Sequence, residues 1–114
     1  MEMTKAELVS ILQSVGVPVR EGESYLEDLK TFPKIAFWEY YWSDQMASGD
    51  DYHTTVTYQV SFASRTARHE KLLALKAALN AAGLHPTISH EYLKAQNGPA
   101  WHHSYFAVDI TEDL

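Results

Sequence analysis

The sequence predicts an α+β fold: a single two-layer domain spanning residues 1–114, with a mainly antiparallel sheet, two helices packed on one face and a long hairpin with a mobile tip. Three observations predict it. Segments 4–15 and 68–83 carry apolar residues at helical spacing and end on helix stop signals. Segments 34–42, 52–64, 87–93 and 101–111 carry extended character. The resulting order, helix, hairpin, helix, hairpin, gives neighbouring strands to pair and two helices to lay over them. A chain of 114 residues has room for one compact domain, and no repeat or linker divides it.

Thr4 is a good N-cap, and Glu7 stands at the capping-box spacing. Leu8, Ile11, Leu12 and Val15 follow at helical spacing, and Gly16 stops the pattern. A helix this short is marginal alone in water, so its stripe is expected on the sheet. Val17-Pro18-Val19 reads as an extended exit. Residues 20–32 are acidic and weakly periodic, and read as a loop or one irregular helical turn with Tyr25, Leu26 and Leu29 as anchors. Pro33 opens the first long strand at a position that tolerates proline. Within it Ile35, Phe37, Glu39 and Tyr41 alternate with Ala36, Trp38, Tyr40 and Trp42, and neither set is clearly polar. The polar run 43–51 forms the hairpin tip. Val56, Tyr58, Val60 and Phe62 then alternate with Thr55, Thr57, Gln59 and Ser61, the pattern of a strand with a wet back. Thr66 is expected to cap the second helix, whose buried stripe is Leu72, Leu75, Leu79 and Ala82, and Gly83 ends it. Residues 96–99 read as a turn between the last two strands, the final one turning Phe106, Val108 and Ile110 inward.

Composition excludes several functions. The net charge is −6, from 15 acidic and 9 basic residues, and only Arg65, Arg68 and Lys71 approach a basic patch. Nucleic-acid binders draw most of their affinity from neutralised phosphates, so specific DNA or RNA binding is not expected. The absence of cysteine rules out a disulfide framework and fits a reducing cytoplasm. No apolar run approaches the length of a membrane span, and the first residues lack the basic-then-apolar layout of a secretory signal.

No metal, cofactor or catalytic residue is predicted. His102 and His103 are adjacent and point to opposite faces of a strand, while His85 and His90 show no ligand spacing. Glu27-Asp28, Asp50-Asp51 and Glu112-Asp113 read as solubilising charge, and the acidic tip lacks calcium-loop spacing. The serines have no nucleophile-elbow context and the glycines occur singly. The chain is not expected to be an enzyme.

The aromatic stretch Phe37-Trp38-Glu39-Tyr40-Tyr41-Trp42 asks for a different explanation. Two helices cover one face of a sheet and leave the other open. An open face bearing Trp38, Tyr40 and Trp42, or Phe37 and Tyr41, is the kind of apolar patch that marks an interface. The bland alternative is that residues 17–32 fold over that face and complete a second small core.

The whole arrangement resembles the tail-terminator, or tail-completion, proteins of tailed bacteriophages with long non-contractile tails. The resemblance runs over residues 4–112: a capped helix ending in Gly16-Val17-Pro18, a proline-led aromatic strand, a polar tip, a Leu-rich helix ending in Ala82-Gly83, and a last strand with Tyr105, Phe106 and Val108. Most of it is carried by YHTTVTYQVSF at 52–62. It implies a structural protein that assembles with copies of itself into a hexameric ring, stops tail-tube polymerisation, caps the tube and joins it to the head connector. The implied partners are further copies, the tail-tube protein and the head–tail connector, with DNA passing through the ring unbound. The implied location is the head-proximal end of the virion tail, after assembly in the host cytoplasm. Ring contacts would be heterologous. They are expected from Trp38, Tyr40 and Trp42, from the tip residues Ser43, Asp44, Gln45, Met46, Asp50, Asp51 and Tyr52, and from the exposed face of one helix. The chain departs from the pattern in its acidic segment 20–32 and its Trp101-His102-His103 run. The alternative reading is a small α+β ligand-binding or enzymatic domain whose aromatic strand lines a pocket.

Overall fold

The computed structural model describes residues 3–46, 52–94 and 100–112. The first helix, α1, spans Lys5–Gln13, and the Thr4 hydroxyl accepts a hydrogen bond from the Glu7 amide at 3.1 Å. Its buried residues are Leu8 and Leu12. Gly16 then takes φ +80°, a left-handed turn that favours glycine. The exit from that turn is a strand: β1, Val19–Glu21, runs parallel to the next strand with Val19 opposite Ile35. A 3-10 turn at Glu23–Glu27 follows.

The long hairpin consists of β2, Lys34–Met46, and β3, Tyr52–Ser64. The second helix, α2, spans Glu70–Ala81, and the last two strands are β4, Ser89–Leu93, and β5, Trp101–Glu112. The sheet order is β1-β2-β3-β5-β4, antiparallel throughout except at β1. The fold is therefore the expected α+β domain, with a mixed, mostly antiparallel sheet. The core lies where Leu8, Leu12, Leu72, Leu75 and Leu79 from the helices meet Ile35, Phe37, Val56, Tyr58, Val60, Phe62, Phe106, Val108 and Ile110 from the sheet. These sheet residues are the inward set of each strand's two-residue alternation.

Four local expectations are corrected. Thr66 does not cap α2: the cap is His69, whose Nδ1 accepts from the Lys71 amide at 3.0 Å, while the Thr66 carbonyl accepts from the Ser64 hydroxyl. Ala82 is exposed and stands outside the helix as its C-cap, so the buried stripe is Leu72, Leu75 and Leu79 alone. The fourth strand begins at Ser89 rather than at residue 87, because residues 84–88 carry the chain from the helix layer to the sheet and pack Leu84 and Ile88 against the core. β2 also runs past Trp42, so residues 43–46, expected in the tip, are strand paired with residues 52–55. The expected turn at 96–99 and the rest of the tip, residues 47–51, lie outside the described residues.

The face of the sheet away from the helices is divided. Lys34 lies on it opposite Ala63 and is fully buried, its Nζ donating to the Asp28 carbonyl between the Tyr25 and Phe32 rings. Arg65 reaches over Phe32 at 4.4 Å and donates to the Leu29 carbonyl at 2.8 Å, and Phe32 packs on Trp101 at 5.8 Å. Ala36, Ser61 and Ala63 are buried beneath this cover. Residues 22–33 thus complete a second small core over one half of the face. The other half, toward Tyr40 and Tyr41, stays open. Among the described residues no helix is long and apolar enough to cross a membrane.

Candidate interaction surface

The open half is built by an irregularity in β2. Pairing with β3 proceeds regularly to Glu39 opposite Tyr58, and the next pair is Tyr41 opposite Thr57. Tyr40 is the extra residue of a β-bulge. Past a bulge the alternation shifts by one, so side chains that would have faced one way face the other. Tyr41 therefore joins the face of Thr57, and Trp42 stands opposite Val56, on the helix-bearing face. The expected grouping of Trp38, Tyr40 and Trp42 on one face is corrected by this shift. Trp38 is half-buried opposite Gln59. Tyr40, Tyr41 and Trp42 are 62%, 53% and 60% exposed, three consecutive large aromatics left uncovered.

Tyr40 and Tyr41 meet edge to face with ring centroids 5.6 Å apart. With Tyr105, Thr57, Gln59, Thr87, Ser89 and Ala107 they border a groove of about 510 Å³. Farther along β2, Ser43 pairs with Thr55, and the exposed Asp44 carboxylate accepts from the Thr54 hydroxyl at 2.8 Å. Gln45 and Met46 close the ladder opposite His53 and Tyr52. Asp50 and Asp51 lie outside the described residues. Of the expected contact residues, Tyr40 and Trp42 stand exposed on the same stretch of strand. A strict two-residue alternation sets Tyr41 with Phe37, on the face opposite Tyr40 and Trp42, whereas the bulge puts it on the face of Thr57. The signal that points to it is three adjacent aromatics, which a regular half-buried strand cannot all accommodate.

The covered half holds a polar relay that no sequence motif announces. His103 Nε2 lies 2.8 Å from the Ser61 hydroxyl, and its Nδ1 lies 3.1 Å from the Glu91 carboxylate. Its ring stacks on Tyr105 at 4.9 Å and leans on Trp101 at 5.9 Å. A carboxylate can only accept, so Nδ1 carries the proton and Nε2 accepts from Ser61. Burial holds the His103 imidazole below its ordinary pKa, and the hydrogen bond and charge of Glu91 offset part of that shift. The order carboxylate, imidazole, hydroxyl is that of a hydrolase triad. Yet Ser61 is 0% exposed, and no substrate carbonyl can approach its oxygen. The relay is a pin joining β4, β5 and β3. His102 points to the other side, where it meets Tyr92 at 5.2 Å.

Tyr58 is the one large polar side chain in the main core. Its hydroxyl donates to Glu112 at 3.3 Å, and burial with the nearby Glu112 and Glu39 carboxylates pushes the phenol well above its ordinary pKa. It therefore stays protonated as a donor. Among the described residues no three histidines or carboxylates are placed to hold a metal ion.

No protein-family model matches the chain, and no curated protein matches it significantly. The surface therefore has to be read from its own chemistry. Exposed, clustered tyrosine and tryptophan on a rigid strand offer large contact area at low entropic cost, which suits protein contact rather than chemistry on a small substrate.

Proposed function

We propose that the chain is a structural protein of a bacteriophage or prophage tail, a tail terminator that acts as a ring and not as an enzyme. The observation that carries the reading is the exposed run Tyr40-Tyr41-Trp42 on the long hairpin. Monomeric proteins rarely leave so large an aromatic patch in water, and buried aromatics dominate the energetics of protein interfaces. Tyr41 and Trp42 lie on opposite faces of the strand, as consecutive strand residues do, so the hairpin can be gripped on both sides by different surfaces. That is what a heterologous, cyclic contact requires, where one patch meets a different patch on the neighbour.

In this reading copies of the chain close into a ring on the end of the tail tube, stop its growth and present a surface to the head connector. The acidic balance, −6 over the chain, suits a ring that lets DNA pass without holding it. Its place is the head-proximal end of the virion tail, reached after assembly in the host cytoplasm. The test is light scattering coupled to size-exclusion chromatography, on the protein alone and mixed with tail-tube subunits from the same genome. The expected result is a closed oligomer or a stable complex with tube ends. A strict monomer indifferent to tube subunits would overturn the reading.

A further inference from the structure

β5 is longer than the strand that flanks it. Pairing with β4 begins at Leu93–Trp101 and stops at Ser89–Tyr105, while β5 continues paired to β3 as far as Glu112. From Phe106 onward the outer edge of β5 has no strand beside it among the described residues. Two grooves flank this open edge and share Asp109. On the helix side Met3, Glu7, Ser10, Ile11, Leu84 and Asp109 border about 690 Å³. On the other side lies the groove of about 510 Å³ bordered by Tyr40, Tyr41 and Tyr105. An unpaired edge offers backbone donors and acceptors, and an added strand sends successive side chains to opposite faces. Here each face has a cavity to receive them.

We propose that the β5 edge over residues 107–112 is a docking site for an extended segment of a partner protein that alternates apolar and basic residues. The apolar side chains enter the helix-side groove against Met3, Ile11 and Leu84. The basic ones reach Asp109 and the tyrosine hydroxyls and rings of the other groove, where cation–π contact adds to the ion pair. Among the described residues the only charged ones bordering either groove are Glu7 and Asp109, both acidic. A second copy docking edge to edge would bring Asp109 and Glu112 of both chains together, and like charges across adjoining strands repel. The edge is thus guarded against its own kind and open to a basic strand. Recognition of this type draws affinity from main-chain pairing and specificity from alternate side-chain pockets. Tyr40 and Tyr41 border one groove and also belong to the aromatic run of the ring reading, whereas Trp42 borders neither groove and so separates the two.

The probe is a capped heptapeptide alternating lysine and valine, titrated against the full chain by calorimetry, with hydrogen exchange read by NMR. Saturable binding is expected, and the outward amides within 107–112 should slow about tenfold or more while the β2–β3 amides stay as they were. Asp109→Asn keeps the 2.6 Å bond from the Thr57 hydroxyl and should weaken the peptide about tenfold. Trp42→Ala should bind it as the wild type does. The proposal is overturned if a glutamate–valine analogue binds equally well, or if the peptide binds without protecting β5. It also falls if the lysine peptide fails to bind, or if those amides are already protected in a dimer of the chain alone.

Discussion

His103 ties three strands together through two hydrogen bonds, and its charge state sets a pH dependence with a definite sign. Its folded-state pKa lies below the ordinary 6.5, so the unfolded chain takes up that proton more readily than the folded one. The stability contributed by the neutral ring is full above pH 6.5 and is lost as pH falls below it. Urea unfolding at several pH values from 7.5 to 5 should show this loss in the wild type and less of it in His103→Gln; equal slopes would remove His103 as the cause. Lys34 makes a comparable commitment on the same face. Replacing it with Met keeps most of its volume but strands the Asp28 carbonyl and removes the contacts with Tyr25 and Phe32. Lys34→Met should cost about 1–3 kcal/mol in urea unfolding, from the half-buried Asp28 carbonyl left without its donor. A neutral result would mean that the cover over Trp101 does not depend on it.

The α2 C-terminus shows how much of the fold is local. Gly83 sits at φ +87°, its amide bonded to the Asn80 carbonyl and the Leu84 amide to that of Leu79 at 2.9 Å. A Cβ there would touch nothing, so the cost of Gly83→Ala is conformational alone, about 1 kcal/mol, and thermal unfolding reads it directly. Such features are legible in sequence because capping, stop signals and apolar periodicity depend on neighbouring residues; hence the cap and buried stripe of α1, the leucine stripe of α2, β3 and the inward set of β5 stand where their patterns put them, while the cap of α2 does not. Other elements are not. β1 is too short for a pattern of its own, and its parallel pairing depends on partners sixteen residues away. The bulge at Tyr40 leaves the composition of β2 unchanged and alters only which face each later residue takes. Residues 22–33 settle on the sheet through the nearby Lys34 and through the long-range partners Arg65 and Trp101, which no window along the chain reveals. The candidate surface was half legible for the same reason: Tyr40 and Trp42 announce themselves as aromatics, whereas Tyr41 and the Ser61–His103–Glu91 relay require the register.

As a whole the molecule is elongated, 55 × 29 × 20 Å, with a radius of gyration of 15.4 Å against the roughly 13 Å of a round domain of this length. The extra extent suits a subunit that reaches toward neighbours, and the long β2–β3 hairpin carries the aromatic run. The proposed ring requires that run to be a contact surface and not a core. The most direct measurement is tail-tube length by electron microscopy, with tube subunits polymerised in the presence of the wild type or of Tyr40→Ala with Trp42→Ala. Both side chains are mostly exposed, so the variant should unfold at nearly the wild-type temperature. The wild type should cap tube ends and limit their length, and the variant should leave them growing. Tubes of equal length with and without the wild type, or a double variant that caps as well as its parent, would contradict it.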